Sequence, residues 1–321
     1  MNSNIILVVL GEPNSTFSEV LFKYFNSTNF KKNKNKIILI GSKNLLINQM
    51  KKLKYNFLLN EIKNVNKSIL KSINIINVKY NFKKTFTKIT GSSNKYIENC
   101  FDLAIEIIKL NKLSNLINGP VSKKHFLKKK FPGITEYVGS KTKTEKTVML
   151  IYNKELSVSP LTTHIPIKYV AKHIKKNKII NHIKIINEFY KSKLGKKPKI
   201  ALLGLNPHCE TTDIVSEEVK EIIPAINYLS RKKIKVYGPM SADTFFLRKN
   251  IKKFDVVVGM YHDQVLTPVK TLFQFEAINV TLGLPFVKVT PDHGPNYEMI
   301  GINKSDPSSI FYAFKFFNEI K

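Results

Sequence analysis

A chain of 321 residues with 43% hydrophobic content can build two core-forming lobes or one large domain, and it is not a disordered segment. Its net charge of +30 comes almost wholly from lysine, since only Arg231 and Arg248 are arginine. Base readout and bidentate phosphate contacts favour arginine, and the lysines are dispersed among Asn and Ile, so the composition argues against a nucleic-acid partner and leaves an excess charge that attracts anionic substrates.

Ile5–Leu10, the longest apolar run near the start, is too short to span a membrane and carries no signal-peptide pattern. Cys100 and Cys209 offer no disulfide framework, and a reducing, cytoplasmic setting is the expectation. Residues 4–10 read as a first buried strand ending at Gly11-Glu12-Pro13. A helix follows, capped by Ser15 or Ser18, with Val20, Leu21, Tyr24 and Phe25 inward. Lys36–Ile40 reads as the next strand, whereas residues 43–88, rich in Lys and Asn, give no clear elements. Ser92 or Ser93 caps a helix with Ile97, Cys100, Phe101, Ala104 and Ile108 on one face, which makes Cys100 a small core residue.

Asn115–Ile117 leads into the turn Asn118-Gly119-Pro120, and Phe131–Val138 reads as a loop carrying Thr135 and Glu136. Thr147–Tyr152 and Leu156–Leu161 form a hairpin about Asn153-Lys154 that runs out into Thr163-His164. Helices with His173 and His182, both read as solvated, extend to a break at Gly195. Lys199–Leu205 is an inner strand ending in Asn206-Pro207-His208-Cys209, followed by a helix opened by Ser216, Glu217 and Glu218 and kinked at Pro224. Ile234–Tyr237 and Phe254–Met260 are two more strands, and Ser308–Phe317 is a closing helix. Alternating strands and helices define an α/β fold with a mainly parallel sheet.

Polar clusters recur directly after strands, where open α/β sheets bind ligands. Three of these clusters contain His164, His208 and His262, and Asp243 and Asp263 occupy equivalent positions. A lone strand-end histidine is usually structural. Three of them read either as structural residues or as a three-imidazole metal site with room for water or substrate. The stretch Tyr261–Gly301 concentrates this chemistry, with His262-Asp263, Lys270, Asn279, a Gly-Leu-Pro turn and Asp292-His293.

The runs THIPIKYVA, GLNPH, GPMSADTFF and YHDQ…K…INVTLGLPFV…DHG, joined by NGPVSK and FPGITEY, resemble the 4-hydroxythreonine-4-phosphate dehydrogenase family (PdxA) from about residue 115 to 301. The resemblance implies a two-lobed α/β/α subunit related in fold to isocitrate and isopropylmalate dehydrogenases, with its active site in the interlobe cleft. The implied lobes are residues 1–118 with about 282–321, and about 119–281. It also implies a homodimer in which His164, His208 and His262 hold one divalent ion (zinc, cobalt, magnesium or similar) with ligands from both subunits. Thr135, Lys270 and Asn279 fall on the family's substrate contacts, and Lys288 falls where the family has arginine. Asp243 and Asp263 become candidates for orienting the ligands or moving a hydroxyl proton.

The implied reaction is oxidation of 4-phosphohydroxy-L-threonine at C3 by NAD (or NADP), then decarboxylation, in pyridoxal 5'-phosphate synthesis. No GxGxxG fingerprint follows the first strand, so the nicotinamide cofactor is an implication of the resemblance alone. Ile134 replaces a family histidine, and Asn14–Phe17 and Cys209–Asp213 replace glycine-rich loops. These departures keep a paralogous dehydrogenase of 4-phospho-D-threonate or 4-phospho-D-erythronate as the alternative. A binding protein without turnover fits less well with three retained histidines, Lys270 and Asn279.

Overall fold

The computed structural model describes residues 4–127, 130–131, 133–210, 215–274, 276–291 and 294–320. The chain divides into two compact units, Met1–Thr147 with Leu284–Ile320, and Val148–Gly283. No described helix is long and apolar enough to cross a membrane.

The first unit contains β1 (Ile5–Val9), β2 (Lys36–Gly41), β3 (Leu59–Glu61), β4 (Ile73–Asn77) and β5 (Asn115–Asn118). The second contains β6 (Val148–Tyr152), β7 (Ser157–Thr162), β8 (Ile200–Leu203), β9 (Val236–Met240), β10 (Val256–Tyr261) and β11 (Ile278–Leu282), and β12 (Val287–Pro291) returns to the first. The first unit orders its strands β3-β4-β2-β1-β5-β12, all parallel. Every residue of β1 is buried, as expected of a strand with helices over both faces. The second unit orders its strands β11-β6-β7-β10-β8-β9, parallel from β7 onward and antiparallel at β6.

Residues 119–147, which the family likeness groups with the second lobe, belong to the first unit. The reason is packing: Tyr137 and Val138 join Leu7, Ile38, Phe101 and Leu116 in one core cluster. These residues lie on a helix, Ile134–Lys141, where the Pro132-Gly133 punctuation had suggested a loop. The unreadable 43–88 stretch contains the helix Lys43–Lys52, capped by the Ser42 hydroxyl, and strands β3 and β4. Asn74 sits fully buried within β4, and its amide nitrogen donates to the carbonyls of Ile37, Ile69 and Ser72. A core asparagine breaks the apolar run by which a buried strand is recognised.

The first helix, Phe17–Phe25, has Thr16 at its N-cap with no side-chain bond, while Ser15, one of the two expected serines, accepts the first helical amide, Phe17 N, on its Oγ at 3.3 Å. Ser15 Oγ also donates to Glu12 O, and Ser93, at the N-cap position of Asn94–Asn111, donates its Oγ to Glu12 Oε2 and accepts no helix amide. Cys100 is fully buried in the core, as expected.

His173 is exposed, but His182 is not solvated. It is buried on the helix Lys176–Lys193, with Nε2 2.7 Å from Ser159 Oγ. Ser159 donates its own proton to Met149 O, so the ring Nε2–H donates to the serine. The neighbouring lysines obscure the signal in sequence, yet Ile179, Ile183 and Ile186 place position 182 on the apolar stripe. Burial, reinforced by Lys178, pushes the imidazole from 6.5 down to about 3. Between those values only the unfolded chain binds the proton, so stability falls as pH drops through this window. We predict a loss of about 2 kcal/mol between about pH 6.5 and 5 that His182→Gln abolishes. Urea midpoints for the two proteins at both pH values check this, and parallel curves would refute it.

Candidate active site

In the second unit the register of two parallel strands builds the site. β7 and β10 pair with Thr162 opposite Tyr261, so the residues that leave these strands emerge side by side. His164 and His262 accordingly lie with ring centroids 5.7 Å apart. Tyr261 is the N-cap of the helix His262–Phe273, and Asp263 in its first turn suits the positive end of the helix dipole. Asp263 Oδ1 lies 2.7 Å from His262 Nδ1, and a carboxylate can only accept there. The bond fixes the tautomer and leaves Nε2 with a lone pair for a ligand.

His208 follows β8 in the turn Pro207–Cys209, with φ 57°. Its Nδ1 is 3.6 Å from Asp243 Oδ2, in the first turn of the short helix Ala242–Phe245. Ser241 Oγ donates to the other Asp243 oxygen, and this bond holds the carboxyl below its usual range. The chain thus assembles two groups, His164 with His262-Asp263 and His208 with Asp243. Among the described residues no three His, Cys, Asp or Glu side chains come together in reach of one ion. The donor chemistry, imidazoles with carboxylate partners on Nδ1, nevertheless suits a divalent cation.

Two residues shape these loops: Glu218, read from sequence only as an acid suited to a helix dipole, and Gln264, given no role in sequence. Glu218 Oε1 accepts from the amides of Leu205 and Asn206 at 2.7 and 2.9 Å, and its Oε2 accepts from the Asn206 side chain. Burial opposes ionisation of Glu218, but these bonds prevail and lower its pKa. Gln264 donates to Gly204 O and accepts from Met260 N, which joins the exits of β8 and β10. Its place in the run YHDQ was the available signal.

Lys270 lies two turns beyond His262 and is half-buried, and burial pushes its pKa down. Asn279 lies on β11, and its buried Oδ1 has no hydrogen-bond partner among the described residues.

In the first unit Thr135 lies in the first turn of Ile134–Lys141, and Ile134 packs against the core cluster. Lys288 has no exposed surface, and its Nζ donates to Thr290 Oγ1 at 2.9 Å. Burial lowers its pKa from 10.5 to about 7, against an upward pull from Glu136. Asp292, His293 and the segment Thr211–Asp213 lie outside the described residues.

Two α/β units with histidines and carboxylates at strand exits define the architecture of the isocitrate dehydrogenase-like α/β proteins. An isocitrate dehydrogenase from Methylococcus capsulatus shares this fold, with TM-score 0.54 over 98% of this chain and 85% of that one at 9% identity. The chain belongs to the family of the pyridoxal phosphate biosynthetic protein PdxA, which matches residues 33–317. It is 38% identical over 316 residues to the 4-hydroxythreonine-4-phosphate dehydrogenase of Sulfurihydrogenibium sp. (strain YO3AOP1), covering 96% of this chain and 95% of that one. A crystal structure of a 4-hydroxythreonine-4-phosphate dehydrogenase from Burkholderia phymatum superposes with TM-score 0.84 at 25% identity, over 99% of this chain and 98% of that one. This membership makes the chain an oxidoreductase.

Proposed function

We propose that this chain oxidises 4-phosphohydroxy-L-threonine at C3 and releases the carboxyl group as carbon dioxide, forming 3-amino-2-oxopropyl phosphate for pyridoxal 5'-phosphate synthesis in the cytoplasm. The observation that carries the reading is the His164–His262 pair with Asp263 on His262 Nδ1, in a chain of this family. The C3 hydride goes to NAD (or NADP), and the β-keto acid so formed loses carbon dioxide readily.

His164, His208 and His262 would hold one divalent ion, which when bound supplies Lewis acidity to the C3 oxygen. The chain alone gathers two of the three histidines, which supports a homodimer whose second copy completes the set. Asp263 orients His262, and Asp243 is placed to orient His208 or accept the hydroxyl proton. Lys270 supplies positive charge to the phosphate or carboxylate, and Asn279 and Thr135 add hydrogen bonds.

The test is NADH formation by the purified protein with 4-phosphohydroxy-L-threonine, with added divalent ion and with chelator. Chelator-sensitive NADH is the expected result. A folded protein inert with every ion, or one that prefers 4-phospho-D-threonate or 4-phospho-D-erythronate, would overturn the assignment.

A further inference from the structure

Lys288 sits on β12 between Val287 and Val289, where a parallel strand calls for apolar residues. Its ammonium leads into a chain of hydrogen bonds. Thr290 Oγ1 accepts from Lys288 Nζ and donates to Asn118 Oδ1 at 2.8 Å, and Asn118 Nδ2 donates to Gly119 O at 2.9 Å. Gly119 N then donates to Val9 O at 2.8 Å, and Glu12 N donates to Pro120 O at 2.9 Å.

The turns after β1 and β5 are therefore locked to each other backbone to backbone. A Cβ at Gly119 would collide with Leu10 O and the Phe17 ring, and one at Gly11 (φ +69°) would meet Pro120 O. These turns close the carboxyl ends of the two strands at which the connections change side, in the order β2-β1-β5. Open α/β sheets bind ligands at such a crevice. A methionine would fill the Lys288 slot without a desolvated charge, so the lysine is costly as packing alone.

We propose that Lys288 is a positioning residue: through Thr290 and Asn118 it fixes the turns after β1 and β5, and it does not itself touch the substrate. This inference rests on the reaction proposed above. It departs from the direct substrate contact implied for the family arginine at this position.

The full-length protein and its Thr290→Val, Lys288→Met and doubly substituted forms separate the two roles. Each is measured for kcat and KM, for binding of 4-phosphohydroxy-L-threonine by calorimetry, and for amide hydrogen exchange in peptides spanning 115–122. Both single variants should lower kcat about tenfold or more, as small misplacements do. Kd should stay within about threefold, and the double variant should match the worse single one. Exchange at 115–122 should speed up in both single variants. A roughly hundredfold loss of binding in Lys288→Met beside an unaffected Thr290→Val would show a direct charged contact and overturn the proposal. Unchanged exchange at 115–122 in both variants would overturn it as well, and this readout needs no turnover. An unsubstituted protein that neither binds nor oxidises the compound would instead refute the assigned reaction, leaving the exchange data to decide the link.

Discussion

His262→Ala is expected to reduce turnover of 4-phosphohydroxy-L-threonine to background, and Asp263→Asn to lower kcat/KM by about 10- to 100-fold. The difference follows from what each side chain does. The imidazole is the group that would bind the ion, paired with His164 across strands β7 and β10. Asp263 acts through that ring by the 2.7 Å bond to Nδ1, so asparagine keeps an acceptor but loses the charge. Excess divalent ion should partly restore Asp263→Asn and should leave His262→Ala inactive. His262 is one-third exposed, so its truncation should shift stability by only about 0.5 kcal/mol. Steady-state kinetics against ion concentration, beside a melting curve, measures all of this. More than about a tenth of the activity in His262→Ala would remove the histidine from the reaction.

Lys288→Met is expected to flatten a rise in stability that the unsubstituted protein shows between about pH 7 and 9. Burial lowers the folded-state pKa of Lys288 to about 7, while an unfolded lysine titrates at about 10.4. Below pH 7 both states hold the proton, and the folded protein bears the full cost of a buried ammonium. Between the two values the unfolded chain alone remains protonated, so stability increases with pH. From pH 7 to 9 this amounts to about 2 kcal/mol, since the folded-state group is still half protonated at pH 7. The methionine variant should therefore be the more stable protein at neutral pH and should lose that advantage toward pH 9. Urea unfolding of both proteins across this range decides it, and matching slopes would mean that Lys288 keeps an ordinary lysine pKa. A gain in global stability with a loosened 115–122 turn would mark the side chain as retained for function at a cost in stability.

The strand exits were legible because buried parallel strands announce themselves as unbroken apolar runs. Ile5–Val9 and Val256–Tyr261 fall where those runs do, and His164, His208 and His262 follow their strands as the sequence suggests. The helix Ile134–Lys141 was hidden by its Pro-Gly entry, and β4 by a core asparagine whose partners include a neighbouring strand. His182 was hidden by the lysines around it, although an apolar stripe ran through its position.

The sequence by itself determined the α/β class, the order of the elements and which histidines stand at strand ends. Those properties depend on local periodicity and turn chemistry, which a linear reading contains. Only the tertiary structure decided that His164 pairs with His262 while His208 pairs with Asp243, that His182 is buried, and that Lys288 turns inward. Each of these depends on groups far apart in the chain: Thr290 meets Asn118 across 172 positions, and His182 meets Ser159 on another element. Whether a polar side chain is buried depends largely on whether such a partner is waiting for it, since a buried polar group without a hydrogen bond costs about 1–3 kcal/mol, a large share of the net stability of a fold.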